Sequence, residues 1–289
     1  MCELAGVSRA SFYRAWEQQE PTAAEMAVRD AIQRTAVVHR YYGYRRIAAQ
    51  LQQQGFMVSP KKVRRLMRED NLVAIRRRKF VVTTDSDHRF HVHPNLAQSL
   101  ELTSINQLWV ADLTYLRLEQ EFAYLAVVLD AYSRRVVGWT LGRTLGVSLT
   151  LEALEKAIAD RQPKPGLVHH SDQGVQYACQ RYVDRLESCG VVLSMSRQGR
   201  PWENGRCESF IKTLKHEELD ARQYRTLEEL RDHVTEFIEQ IYNLRRLHSA
   251  LDYQSPIEFE KQHESGVAWR PATLSFLRHE EIYPDGDLH

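Results

Sequence analysis

The chain has 289 residues, 43% hydrophobic and 27% charged, with 13 Gly and 9 Pro, which excludes a low-complexity or collagen-like chain and leaves room for two globular domains. Its longest apolar run, Ala123 to Leu129, is far shorter than the ~20 residues of a membrane helix, and Glu3 and Arg9 spoil a signal peptide, so a cytoplasmic protein with no membrane partner is expected. The formal net charge of +1 hides two unlike parts: residues 1–103 carry 17 Lys+Arg against 10 Asp+Glu, and residues 104–289 carry 22 against 28.

In chain order, Leu4 to Trp16 fits only the last part of a helix-turn-helix. The next signal is stronger. Tyr44 to Gln53 predicts a helix with Ile47, Ala48 and Leu51 on one face, Gly55 allows a turn, and Ser59 and Pro60 supply the cap and first residue of a second helix. In that helix Val63, Leu66 and Met67 recur as a core stripe, and Lys61, Lys62, Arg64, Arg65 and Arg68 take the other faces, followed by Arg76, Arg77, Arg78 and Lys79. A helix-turn-helix lays its second helix in the DNA major groove, so these five cations of the helix are the candidate phosphate contacts. The plain alternative is a solvated helix face with a basic tail.

Residues 76–103 show no sustained period and read as a linker. Its His88, His91 and His93 lack a fourth ligand at suitable spacing, which favours a solvated segment over a zinc site. Cys2, Cys179, Cys189 and Cys207 contain no C-x-x-C pair, excluding a disulfide framework and fitting a reducing compartment.

From Gln107 the pattern turns to strands. Leu108 to Leu118, Phe122 to Leu129 and Arg135 to Leu141 predict an antiparallel meander. A helix near Ser148 to Asp160, a short strand Leu167 to His169, a helix near Val175 to Ser188 and a strand Val191 to Met195 follow, so a mixed sheet with packed helices is expected. Asp112 lies inside the first strand among apolar neighbours, Asp172 lies just past the fourth, and Glu208 sits in a helix predicted from about Trp202 to Leu219. Strand ends are where open sheets place ligands, and three carboxylates from three elements can converge there. Such a cluster repels itself, and a divalent metal with oxygen ligands relieves it. Two Mg²⁺ ions about 3.5–4 Å apart would serve in-line displacement at phosphorus. The alternatives are a helix cap for Asp172 and an ordinary buried hydrogen bond for Asp112; a cap explains neither the strand acid nor the helix acid.

Asp172 and Glu208 enclose 35 residues, with Asp112 upstream, a spacing that resembles the D,D(35)E signature of transposases and retroviral integrases. The words WVADLTY (109–115), LAVVLDAYSRRVVGW (125–139), HSDQGVQY (170–177) and ESFIKTLK (208–215) resemble the orfB transposase of the insertion-sequence-three family. Gly43 to Leu72 and the segment from Tyr242-Asn243 through His248 to Ser255-Pro256 are similar to that family as well. The resemblance implies an α/β, RNase H-like catalytic core preceded by a small all-α helix-turn-helix domain. It also implies Mg²⁺ or Mn²⁺ dependence, two ions per site, and an enzyme that nicks insertion-sequence ends and joins the 3′-hydroxyls to DNA. Mapped by motif, Asp112, Asp172 and Glu208 become the catalytic metal ligands, with Asp130 a weaker rival for one place.

Lys212 and Lys215 share a helix face with Glu208, and integrases use lysines similarly placed for phosphate contact. Ser196 to Gly205 reads as a mobile loop whose Arg197, Gln198, Arg200 and Asn204 could order on DNA, with Trp202 as a base-stacking or packing residue. His170 reads as structural. Leu227, Leu230, Val234, Ile238 and Ile241 trace a buried helical stripe, after which Arg245, Arg246 and His248 would contact DNA or cap the helix.

The expected organisation is a helix-turn-helix region over 1–75, a linker over 76–103, an integrase-like core over 104–222 and a helical extension over 223–289. A nucleoid-associated bacterial transposase follows, with DNA ends and target as partners, an upstream-frame protein or fusion, and a homo-oligomer when ends are paired. The second hypothesis is a non-catalytic DNA-binding remnant or regulator lacking that fusion partner.

Overall fold

The structure, a computed structural model, describes residues 22–72, 92–220 and 222–264 and divides into two compact units at 81/82. Expectations for Leu4 to Trp16, Arg76 to Lys79, His88, His91 and 265–289 lie outside the described residues.

In the first unit, helix α1 (Ala23–Val38) starts where the Thr22 hydroxyl accepts the Glu25 N–H. Helix α2 (Tyr44–Gln53) matches the predicted span, and α3 (Pro60–Glu69) starts with Ser59 accepting the Lys62 N–H and Pro60 in the first turn. Ile32, Ile47, Leu51, Val63 and Leu66 are fully buried, each contributing roughly 1.5–3 kcal/mol of transfer free energy. Gly55 makes the turn at φ +89°, a left-handed conformation that a side chain would strain. Arg29 of α1 ties down the end of α3 through Glu69 and Asp70.

The second unit is built on a five-stranded sheet. Strands β1 (Leu108–Arg117), β2 (Phe122–Asp130) and β3 (Val136–Gly142) form the antiparallel meander. Strands β4 (Val168–Ser171) and β5 (Val192–Met195) run parallel to β1, giving the order β3-β2-β1-β4-β5. Helix α4 (Val147–Arg161) crosses from β3 to β4, and α5 (Val175–Ala178) and α6 (Gln180–Ser188) lie between β4 and β5.

Side-chain alternation along β1 sorts two cores. Trp109 and Ala111 point to the layer that holds Ala153, Leu154, Ala157 and Leu186. Leu108 and Val110 point to the layer of α7 (Gly205–Leu214) and α8 (Leu227–Thr235). On the first face α4 lies so close that a Cβ at Gly138 would sit 2.2 Å from the Ala153 carbonyl oxygen.

Three boundaries differ from the predicted ones. Strand β4 runs on to Ser171 because each of its histidines has a ring nitrogen engaged inside: His169 Nε2 lies 3.1 Å from the Tyr182 hydroxyl, and His170 Nδ1 lies 2.8 Å from Ser194 Oγ. The helix expected over 175–188 breaks at Cys179, which is extended at ψ 145°. The helix expected from Trp202 begins as a tight turn, Pro201–Asn204, and ends in a wider one, Lys215–Leu219.

Leu227, Leu230, Val234 and Ile238 are buried as expected, while Ile241 is half-buried. Arg246 is buried and grips both oxygens of Glu217 at 2.9 and 2.6 Å, a structural role rather than a DNA contact. Helix α9 (Pro256–Glu264) is anchored by Glu260, which pairs with Arg135 and Arg161. Among the described residues no helix is long and apolar enough to cross a membrane.

Candidate active site

The β1–β4 register explains why two distant acids meet. Trp109 pairs with His169 and Val110 with His170, so Asp112 in β1 and Asp172, one residue past the end of β4, each lie two residues beyond the last pair. Asp112 shares a sheet face with Leu108 and Val110, the face on which α7 packs through Cys207, Phe210, Ile211 and Leu214. The start of α7 is stitched to the strand by the Asn204 amide, which donates to the Ala111 carbonyl at 2.8 Å. Glu208 follows one turn later.

The charges feel one another. Burial first, then Asp172, raises the Asp112 carboxyl from the ordinary aspartate value of 3.8 to about 7, with Glu208 adding to the rise. Each aspartate also makes a local backbone bond: Asp112 Oδ1 accepts the Leu113 N–H at 2.8 Å, and Asp172 Oδ1 accepts the Gly174 N–H at 3.0 Å.

Lys212 Nζ lies 3.5 Å from Glu208. Lys215 is half-buried over the Tyr115 ring at 4.8 Å, and the Asp112 charge acts on it. Both lysines therefore border the acids, and Lys212 is the more exposed.

All three acids offer hard carboxylate oxygens, the donor chemistry that suits Mg²⁺ or Mn²⁺, and their mutual repulsion is what a divalent cation would remove. In donor type and charge the residues fit such an ion. The ligand shell is not preformed: among the described residues no three His, Cys, Asp or Glu side chains are gathered to hold a metal. His93 belongs to no such group.

Other residues singled out from sequence have structural work. Asp130 is buried, and its oxygens accept the backbone N–H groups of Asn106, Tyr132 and Ser133 at 2.7–2.9 Å, so it is the corner post of the β2–β3 turn. The segment expected to be a mobile loop is tied by Glu203, which accepts from Arg197 at 2.8 Å and from Asn95 at 2.7 Å. Trp202 is exposed. Sequence reasoning missed Tyr177, whose buried hydroxyl has no hydrogen-bond partner among the described residues and feels both Asp112 and Asp172; an aromatic in an amphipathic helix gives no signal of that.

The five cations of α3 separate into two rows. Lys62 and Arg65 reach Glu25 at 3.5 Å, and Arg65 also pairs with Glu69 at 2.9 Å. Lys61, Arg64 and Arg68 are exposed on the neighbouring row, with Arg64 stacked 5.6 Å over Tyr44.

Comparison with known proteins gives these features a family. Residues 103–201 and 189–256 match the integrase core domain, and residues 23–80 match an HTH-like domain. The chain is 37% identical to the insertion element IS600 uncharacterized 31 kDa protein of Shigella sonnei, over 91% of this chain and 99% of that protein. It is 31% identical to transposase InsF for insertion sequence IS3A of Escherichia coli, over 91% and 93%. A solved structure of the HTLV-2 integrase catalytic core domain in complex with magnesium is similar at 16% identity and TM-score 0.42, covering 54% of this chain and 97% of that one. The mixed sheet with flanking helices is the RNase H-like arrangement of the integrase core, preceded by an HTH-like region. The chain belongs to the insertion-sequence transposases, the family whose business is DNA transposition.

Proposed function

We propose that the chain cuts phosphodiester bonds at the ends of its insertion sequence and joins the freed 3′-hydroxyls to DNA, with Asp112, Asp172 and Glu208 as ligands of divalent cations. The observation that carries this reading is the placement of Asp112 and Asp172 beyond the β1–β4 pairing, together with the charge they and Glu208 impose on one another. Bound Mg²⁺ or Mn²⁺, two ions per site, would activate the attacking oxygen and stabilise the leaving one. The chain's own residues bind and orient: β1 and β4 hold the two aspartates at fixed height, α7 brings Glu208 over them, and Lys212 and Lys215 are set to receive the scissile phosphate. No side chain need act as covalent nucleophile, since water or a DNA hydroxyl attacks. Lys61, Arg64 and Arg68 are the foremost phosphate contacts of the helix-turn-helix, and Lys62 and Arg65 contribute after releasing Glu25. Pairing of two ends calls for a homo-oligomer, and an upstream-frame protein or fusion would supply further end recognition.

The test is nicking of a duplex carrying the element's terminal repeat in Mg²⁺. Wild type is expected to nick and Asp112→Asn to fail; equal nicking by both would refute the assignment. DNA affinity indifferent to Mg²⁺, with no cleavage by wild type, would favour the non-catalytic remnant.

A further inference from the structure

The flank of α7 turned away from Glu208 faces a cavity of about 580 Å³, within the ~300–1,000 Å³ range of small-ligand pockets. Leu108 and Val110 of β1 lie at its floor, and Arg206 and Ser209, one turn apart on α7, form one wall. Four guanidiniums line it, Arg134, Arg197, Arg200 and Arg206, against one carboxylate, Glu203.

That carboxylate is already engaged. Arg197 donates to it at 2.8 Å from both its backbone and its side-chain N–H, and Arg200 lies 3.8 Å away. Hydrogen bonding to Arg197 first, with Asn95 assisting, holds Glu203 down at about 2. Arg134 and Arg206 are different. Both are half-buried, and neither side chain makes a hydrogen bond or ion pair among the described residues. Burial, and then the neighbouring Arg206, disfavour the Arg134 cation. Asp130, whose charge reaches Arg206, spends its oxygens on backbone N–H groups and on Ser133. Helix α7 also begins here without a side-chain cap, adding its positive end to the same space.

Half-burying two guanidiniums side by side without an anion is costly, and a planar fork of donors matches phosphate oxygens in two-point contact. The indole of Trp202 stands exposed on the rim, a surface on which a base can stack. We propose that this cavity is a second DNA-contact site, separate from the carboxylates, in which Arg134 and Arg206 grip one backbone phosphate and Trp202 stacks on the adjoining unpaired base. The inference rests on the chain's handling of DNA but not on metal chemistry, so the two fail separately: Asp112→Asn that still nicks would sink the carboxylate reading and leave this one standing.

The test is run in EDTA, with a fluorescein-labelled oligothymidylate of about 12 nucleotides, by anisotropy across a salt series. The Arg134→Gln/Arg206→Gln pair is expected to bind about tenfold more weakly, with a log–log salt slope shallower by about 0.7, the share of one single-strand phosphate. Trp202→Ala is expected to weaken binding about fivefold or more with the slope unchanged. Should the glutamine pair fail to fold, Arg134→Lys/Arg206→Lys, which keeps charge but loses the fork, must keep the slope and lose affinity. Unaltered affinity and slope in the arginine variants would overturn the proposal. So would inorganic phosphate or thymidine monophosphate competing as strongly as the oligonucleotide, which would mark a free-anion site. A drop in sedimentation mass without a change in DNA affinity would overturn it in favour of a contact between copies.

Discussion

The two flanks of helix α7 carry opposite excesses of charge. One presents Glu208 toward Asp112 and Asp172, and the other presents Arg206 toward Arg134. Each crowds like charges that burial makes costly. Ordinary cores pair or exclude such groups. Each excess is expected to draw its complement from outside, a cation on one flank and an anion on the other. The buried apolar face between them, Phe210, Ile211 and Leu214, keeps the helix in place while both flanks stay under repulsion.

The comparison breaks most visibly at the acid flank. Asp112→Asn is expected to lower Mg²⁺-dependent nicking by about 10²-fold or more, read from the initial rate on a terminal-repeat duplex. The same substitution should make the metal-free protein more stable, because it removes a carboxylate that burial first, and then Asp172, disfavours. The sign follows from the raised pKa. Between about pH 4 and 7 the folded Asp112 holds a proton that the unfolded chain has lost, so its contribution is full below that window and is lost as pH rises through 7. In EDTA the melting-temperature advantage of Asp112→Asn should therefore grow from pH 4 to 7 and level off above. It should reach roughly 1–3 kcal/mol, discounted for partial exposure, or about 2–6 °C. A flat difference across that range would mean that neither burial nor the neighbouring acids raise the Asp112 carboxyl.

Added Mg²⁺ sharpens the same contrast. At about 100 times its dissociation constant it should stabilise wild type by about 2.7 kcal/mol, seen as a higher melting temperature that Asp112→Asn largely loses. The smallest effects belong to α3, where cations in ion pairs and exposed cations stand side by side. Arg68→Gln should weaken duplex binding and reduce the salt slope by about 0.9, and Arg65→Gln should do less, because Glu25 and Glu69 already hold that side chain. Equal losses would show that those ion pairs open freely on DNA.

Much of this was legible in the residues. The meander shows in the alternation of Val, Leu and Tyr, and α2 and α3 show in a core stripe bracketed by Gly55, Ser59 and Pro60. Asp112 stands out because charge is rare inside an apolar strand, and Asp172 and Glu208 by the 35 residues they enclose. Hydropathy ends strand β4 early because it cannot see the hydrogen bond between His170 and Ser194 in the interior. The break at Cys179 carries no Gly or Pro to announce it. The arginine cavity was hidden for a different reason. Arg134 lies in a turn and Arg206 opens a helix far along the chain, and each alone looks like a solvated cation; only the fold makes them neighbours.

The bond from the Asn204 amide to the Ala111 carbonyl fixes which part of the sequence is free to change length. It clamps α7 to the residue next to Asp112, so the height of Glu208 is measured from Asn204 over a single helical turn. Insertions between Asp172 and Asn204 lengthen a detour whose two ends stay pinned. One residue added between Asn204 and Glu208 would swing the glutamate about 100° around its helix, off the acids and toward the arginines.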